Sequence, residues 1–289
     1  MYIVLAVAAA FFFALGTVLQ QRAAVREPAS TARGAAALLV HLARRPTWLG
    51  GIAADGLGFV AQAAALGLGK LVVVQPVLAT TVVFSLPLGA RLSNQRITRR
   101  DMIAAVVVTA GLAAFLVASD PSGGRDDAPI RDWLLAAIPI AVVCAALVGA
   151  GWRARPALKA ALLGTAAGVL FGVSAALTKA TVDQLDDGVL ALVLDWHVYA
   201  LLAVGYVSMT LSVASLQTGV LAPAIATASI FDPITSVVLG TTLLEESLHE
   251  DGLGVALSVL ALVVMFGGLI ELARSQGADP ETESSTAAA

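Results

Sequence analysis

Charge is scarce in this sequence. Only 13% of the 289 residues are Asp, Glu, Lys or Arg, about half the share an average soluble domain carries. A soluble core of this length would need a charged exterior, and these residues cannot supply one. A soluble globular enzyme is therefore excluded, and so is disorder away from the ends. The net charge of −3 gives no electrostatic footprint for nucleic acid. Cysteine occurs once, at Cys144 inside an apolar run, so no internal disulfide can form. The three histidines, His41, His197 and His249, are scattered without metal-ligand spacing. Walker A, GxSxG and nucleotide-binding patterns are absent, which leaves ATP-driven pumping and acyl-transfer chemistry without support. No cofactor is expected, and the chain does not read as an enzyme.

Apolar residues make up 58% of the chain, and the mean hydropathy is +0.89. Nine stretches are long enough to cross a bilayer as helices: 2–20, 47–69, 71–92, 102–118, 133–152, 159–179, 196–216, 219–244 and 252–272. Runs such as AAVVVTAGLAAFLVA do not alternate in polarity, so they are helices and not barrel strands. The expected fold is an all-α polytopic membrane protein whose surroundings are the lipid bilayer. The segment 180–195 holds GVLALVL, too short to span; it lies at the interface or extends the seventh helix.

Lys and Arg set the orientation. With the N-terminus outside, 13 of the 17 basic residues fall in cytoplasmic segments, among them Arg22, Arg26, Arg33, Arg96 and Arg153. Lys70, Arg125, Arg131 and Lys179 remain outside, beside twelve acids, which makes an acidic outer mouth or ordinary solvated loops. The chain is expected in the cell membrane with a cytoplasmic C-terminus. The tail 274–289 is small, polar and acidic, and is expected to be disordered.

Two halves share features. FALGTVLQQR in the first span parallels FGVSAALTKA in the sixth; a shift of 158 sets Phe13 on Phe171 and Gln21 on Lys179. Pro76 and Pro87 in the third span parallel Pro223 and Pro233 in the eighth, each pair preceded by glycine (Gly69, Gly219). Five crossings separate the first and sixth spans, so matching spans run antiparallel. The implied organisation is a first repeat over 1–132, a connecting helix over 133–156, a second repeat over 157–273 and the tail. Inverted repeats of this kind build many secondary transporters, with the solute site between the halves.

Few polar groups lie within the spans. Asp232 is near mid-membrane, where a carboxylate costs roughly 2.5–3.5 kcal/mol to insert. It precedes Pro233, whose missing N–H frees a carbonyl one turn back. Asp55 and Gln62 are seven residues apart, on one helix face flanked by Gly51 and Gly58. They line a polar cavity or hydrogen-bond to a neighbouring helix. Gln75–Pro76 and Ala222–Pro223 are candidate helix breaks whose freed carbonyls could line a pathway. Lys179 ends the sixth span, and Lys70 begins the third. Gly164, Gly168, Gly172 and Ala176 form a small-residue face for packing within the chain or for a homodimer seam. The candidate solute- or ion-binding set is Asp55, Gln62, Gln75, Lys179 and Asp232, with Pro76, Pro223 and Pro233 breaking helices.

SLQTGVLAPAIATASIFDPITSVVLGTTLLEESL resembles the repeated segment of the drug/metabolite transporter superfamily, EamA type. Glu245 and Glu246 match its glutamate; in QPVLATTVVFSLPLGARLSNQRI, Gln95 takes that place. TWLGGIAADGLGFVAQAAAL is similar to the second helix of the NIPA-like branch, associated with magnesium transport. Gln62 stands where an asparagine is usual there, and Phe59 where a glutamate is usual, with Asp55 one turn earlier. The resemblance implies metabolite or drug export by alternating access, with the buried aspartates as candidate proton carriers. The alternative is a magnesium permease, with Asp55 and Asp232 as candidate metal ligands.

Overall fold

The computed structural model describes residues 1–25, 44–93, 97–119, 122–184, 188–247 and 252–286. Its helices are α1 (Tyr2–Val25), α2 (Pro46–Leu68), α3 (Leu71–Leu78), α4 (Thr81–Ser93), α5 (Arg99–Ala118) and α6 (Ile130–Gly151). There follow α7 (Pro156–Asp183), α8 (Val189–Leu194), α9 (Trp196–Leu216), α10 (Leu221–Thr242) and α11 (Gly252–Thr286). Two two-residue strands, β1 (Ser122–Gly123) and β2 (Glu246–Ser247), pair antiparallel. Among the described residues, nine stretches are long and apolar enough to cross a membrane, α3 and α4 together forming the third. The chain is an all-α, multi-pass membrane protein. Arg26, Arg33, His41, Gln95, Arg96, Asp120, Asp186, Asp187, His249, Glu250 and Asp251 lie outside the described residues.

The outside of the bundle is oily, as lipid requires. The exposed face of α6 carries Leu134, Leu135, Ile138, Val142 and Val143, a patch water would not tolerate on a monomer. The most enclosed span is α7, while α6 and α9 are peripheral. Small residues explain the difference: α7 buries Ala160, Gly164, Ala167, Gly168, Gly172, Ala175 and Ala176, so neighbouring backbones approach closely. α10 and α9 pack on α7, α2 and α4 pack on α1, α11 packs on α5, and α3 meets α10.

Two local readings need correction. Pro223 does not break a helix: it is the third residue of α10, in the first turn, where its missing N–H has no intrahelical partner to lose. Within 180–195, residues 180–183 complete α7 and Val189–Leu194 form a separate short helix, α8, which does not extend the seventh span because Asp195 accepts from the His197 amide to start α9.

Candidate functional site

The glycine column of α7 sets the position of α10. A Cβ on Gly168 would lie 2.5 Å from the Ala228 carbonyl oxygen, and one on Gly172 would lie 2.7 Å from that of Asp232. The small-residue face is thus filled within the chain. Held this way, α10 carries Asp232 and Pro233 at its middle. Pro233 offers no N–H to the Ser229 carbonyl, so the backbone beside the acid keeps a free acceptor.

Across from α10, the third span is interrupted. Pro76 lies inside α3, and the helix gives way to a turn at Ala79–Thr80, with Ala79 still in the right-handed helical region, before α4 begins. The Thr80 hydroxyl donates to the Val77 carbonyl at 2.6 Å, and the Thr81 hydroxyl to that of Leu78 at 2.7 Å. The Val77 carbonyl also accepts from the Thr80 amide at 3.1 Å, so backbone groups at this turn stay paired in the membrane. Gln75, one helical turn before Ala79, is buried.

Between these elements lies a cavity of about 260 Å³. Its polar lining is Gln62, Gln75, Thr81, Ser229 and Asp232, and Phe13 supplies an aromatic wall. Three of the five residues nominated from sequence therefore meet in one place. Asp232 Oδ1 and Gln75 Nε2 are both shielded and lack a hydrogen-bond partner among the described residues.

Asp55 and Lys179 lie elsewhere. Asp55 accepts a hydrogen bond from Gln20 Nε2 of α1, and the glycines beside it, Gly16 and Gly51, let α1 and α2 nearly touch. Seven residues bring Asp55 to the Gln62 face but also about 10 Å along the axis, which separates it from the cavity lining. Among the described residues, no three His, Cys, Asp or Glu side chains gather as a metal site.

Lys179 is not at the end of its span but inside α7, which runs four residues further. Its ammonium donates to the Gly69 carbonyl at 2.9 Å, and lies 3.1 Å from Asp126 and 3.5 Å from Glu246. Glu246 is fully shielded and accepts from the amides of Leu71 and Val72, both at 2.9 Å. A carboxylate on the free N–H groups that open α3 is favoured by the helix dipole as well. Lys70 donates to the Gly123 carbonyl, and the Arg125 amide and Nε donate to Leu244 and Leu243 carbonyls at 2.7 and 3.0 Å. Close by in sequence, His197 touches Asp195 and lies 3.1 Å from Asp127, packed against Trp133 and Trp196. Together these contacts tie the segments after the second, fourth, sixth and eighth spans into one polar layer at a single end of the bundle.

Sequence reading missed this layer. Glu246 looked like a loop acid, and nothing local linked it to Leu71. The matching of Glu246 to a family glutamate was the one available signal. Thr81 and Ser229 carried no distinguishing pattern, and Phe13 stood out only as the repeat partner of Phe171.

An uncharacterized protein of Corynebacterium glutamicum is 32% identical to this chain over 279 residues, covering 94% of each. The chain belongs to that protein's family. No family model matches the chain, and no solved structure does. Function must therefore be argued from the site's own chemistry.

Proposed function

We propose that this protein is a secondary-active transporter of a small solute, working by alternating access in the cell membrane. The observation that carries this reading is the mid-bilayer cavity between an interrupted helix, α3–α4, and the aspartate-bearing α10. Polar, unpaired groups at that depth are costly and mark a solute or ion path.

Packing supports an inverted repeat of four spans plus four, joined by α6. In the first half α1 contacts α2 and the α3–α4 span; in the second, α7 contacts α9 and α10 in the same pattern. The matching pairs α3 with α10 and α5 with α11 meet across the middle. This organisation fits membership of the drug/metabolite transporter superfamily. The basic residues set the N-terminus outside and the C-terminus in the cytoplasm. The polar layer of Glu246 and Lys179 then closes the outer end. Asp232 is the carboxylate that would exchange a proton for solute, and the protein acts as a carrier, not an enzyme.

Counterflow into proteoliposomes tests the proposal. Purified protein preloaded with unlabelled solute should accumulate labelled solute saturably, and Asp232→Asn should abolish this while the protein still inserts. No exchange across amines, sugars, amino acids, nucleosides and Mg²⁺, by folded protein, would contradict it.

A further inference from the structure

Asp232 and Gln75 line the cavity, and each carries a shielded polar atom, of opposite hydrogen-bonding character, with no partner among the described residues. Asp232 Oδ1 can only accept while ionised, and Gln75 Nε2 can only donate. Buried polar atoms left unpaired are uncommon in folded proteins, and two in one cavity call for an explanation. Among the described residues, the lining holds one carboxylate and no Lys, Arg or His. Lys179 is committed to Gly69, Asp126 and Glu246, outside the lining.

We infer that the cavity selects small organic cations: a protonated amine that also carries a neutral hydrogen-bond acceptor. This deepens the transporter reading and rests on it for the cavity's role. A primary ammonium brings both a charge and three donors to Asp232, a charge-assisted bond that is strong in a low-dielectric site. A quaternary ammonium has no N–H and leaves Oδ1 unpaired. A hydroxyl or carbonyl oxygen elsewhere on the solute meets Gln75 Nε2, and Gln62 can give or accept beside it. A carboxylate on the solute would face Asp232 with no cation in the lining, so anions and zwitterions are disfavoured. Phe13 adds an aromatic face, which attracts cations. The volume of about 260 Å³ falls below the ~300 Å³ floor for drug-sized pockets, and so suits a metabolite-sized amine.

The test is thermal unfolding of full-length detergent-purified protein with matched probes. These are tyramine and glucosamine, their alcohol counterparts tyrosol and glucose, phenethylamine, and zwitterionic tyrosine. At least one of tyramine and glucosamine should raise the Tm saturably, with half-saturation about tenfold or more below that of its alcohol. Asp232→Asn should erase that preference, and Asp55→Asn should keep it. Gln75→Leu should weaken tyramine but leave phenethylamine unchanged. No shift with any amine, equal shifts with the alcohols, a stronger shift with tyrosine, or a preference surviving Asp232→Asn would each overturn the inference. Asp232-dependent binding without counterflow would end the transporter reading and leave the cavity's selectivity standing. Counterflow of neutral or anionic solutes without amine binding would do the reverse.

Discussion

Lys179 Nζ and Glu246 Oε1 lie 3.5 Å apart with both side chains shielded, and each also binds the backbone that leads into α3. Desolvating such a pair is costly, and it is tolerated only when further hydrogen bonds satisfy both groups. Here the Leu71 and Val72 amides and the Gly69 carbonyl do so. The pair joins the sixth span and the segment after the eighth to the start of the third, and under the proposed mechanism it would latch that end of the bundle.

Breaking the latch on one side should be worse than removing it. Lys179→Met leaves Glu246 shielded without its nearest cation and should cost about 3–5 kcal/mol. Adding Glu246→Gln to that variant should recover part of the loss, because the two residues share one network. Unfolding of the two single variants and the double variant checks this; strictly additive losses would count against the coupling.

Gly172→Val should push α7 and α10 apart, since its Cβ would sit 2.7 Å from the Asp232 carbonyl. Overpacking of this kind costs about 1–3 kcal/mol. Gly205→Ala, which meets nothing within 4 Å, is the control and should leave the Tm unchanged.

The two intramembrane aspartates should separate by their effects. Asp55→Asn keeps an acceptor for Gln20 and should leave stability and counterflow near wild type. Asp55→Leu should cost about 0.6–2 kcal/mol, the worth of an interhelical hydrogen bond in a membrane. Asp232→Asn should keep or raise the Tm, because Oδ1 has no donor among the described residues to lose, yet should stop counterflow. Unfolding curves and exchange rates measured on the same preparations decide between these outcomes.

These contrasts follow how legible each residue was in sequence. The spans could be read because about 20 apolar residues must be consecutive to cross lipid, and composition alone records that. Asp232 could be read because a carboxylate amid such a run is anomalous wherever it points. Gln62 and Gln75 were readable as rare polar groups at the same depth. Asp55 carried the same signal, but its meaning depended on Gln20, 35 residues away. Glu246 and Leu71 are 175 residues apart, and an acid at the end of a span looks solvated until the fold covers it. Pro223 misled because a proline reads as a break unless the helix start is known to the residue.

Pro76→Ala should restore an N–H to the Val72 carbonyl and straighten the third span. The expected result is an equal or higher Tm with slower counterflow, since Leu78, Ala79 and Thr81 around the interruption line the cavity. Faster exchange in this variant would argue that the break is only a packing kink.

Side-dependent labelling of the cavity tests alternating access most directly. A Ser229→Cys substitution in a Cys144→Ala background places one thiol on the cavity lining. In oriented vesicles, a membrane-impermeant maleimide should reach it only from the end opposite Glu246 while the latch is intact. Adding Lys179→Met and Glu246→Gln should open labelling from the Glu246 end. Labelling from the Glu246 end that is the same with and without the latch would contradict the account.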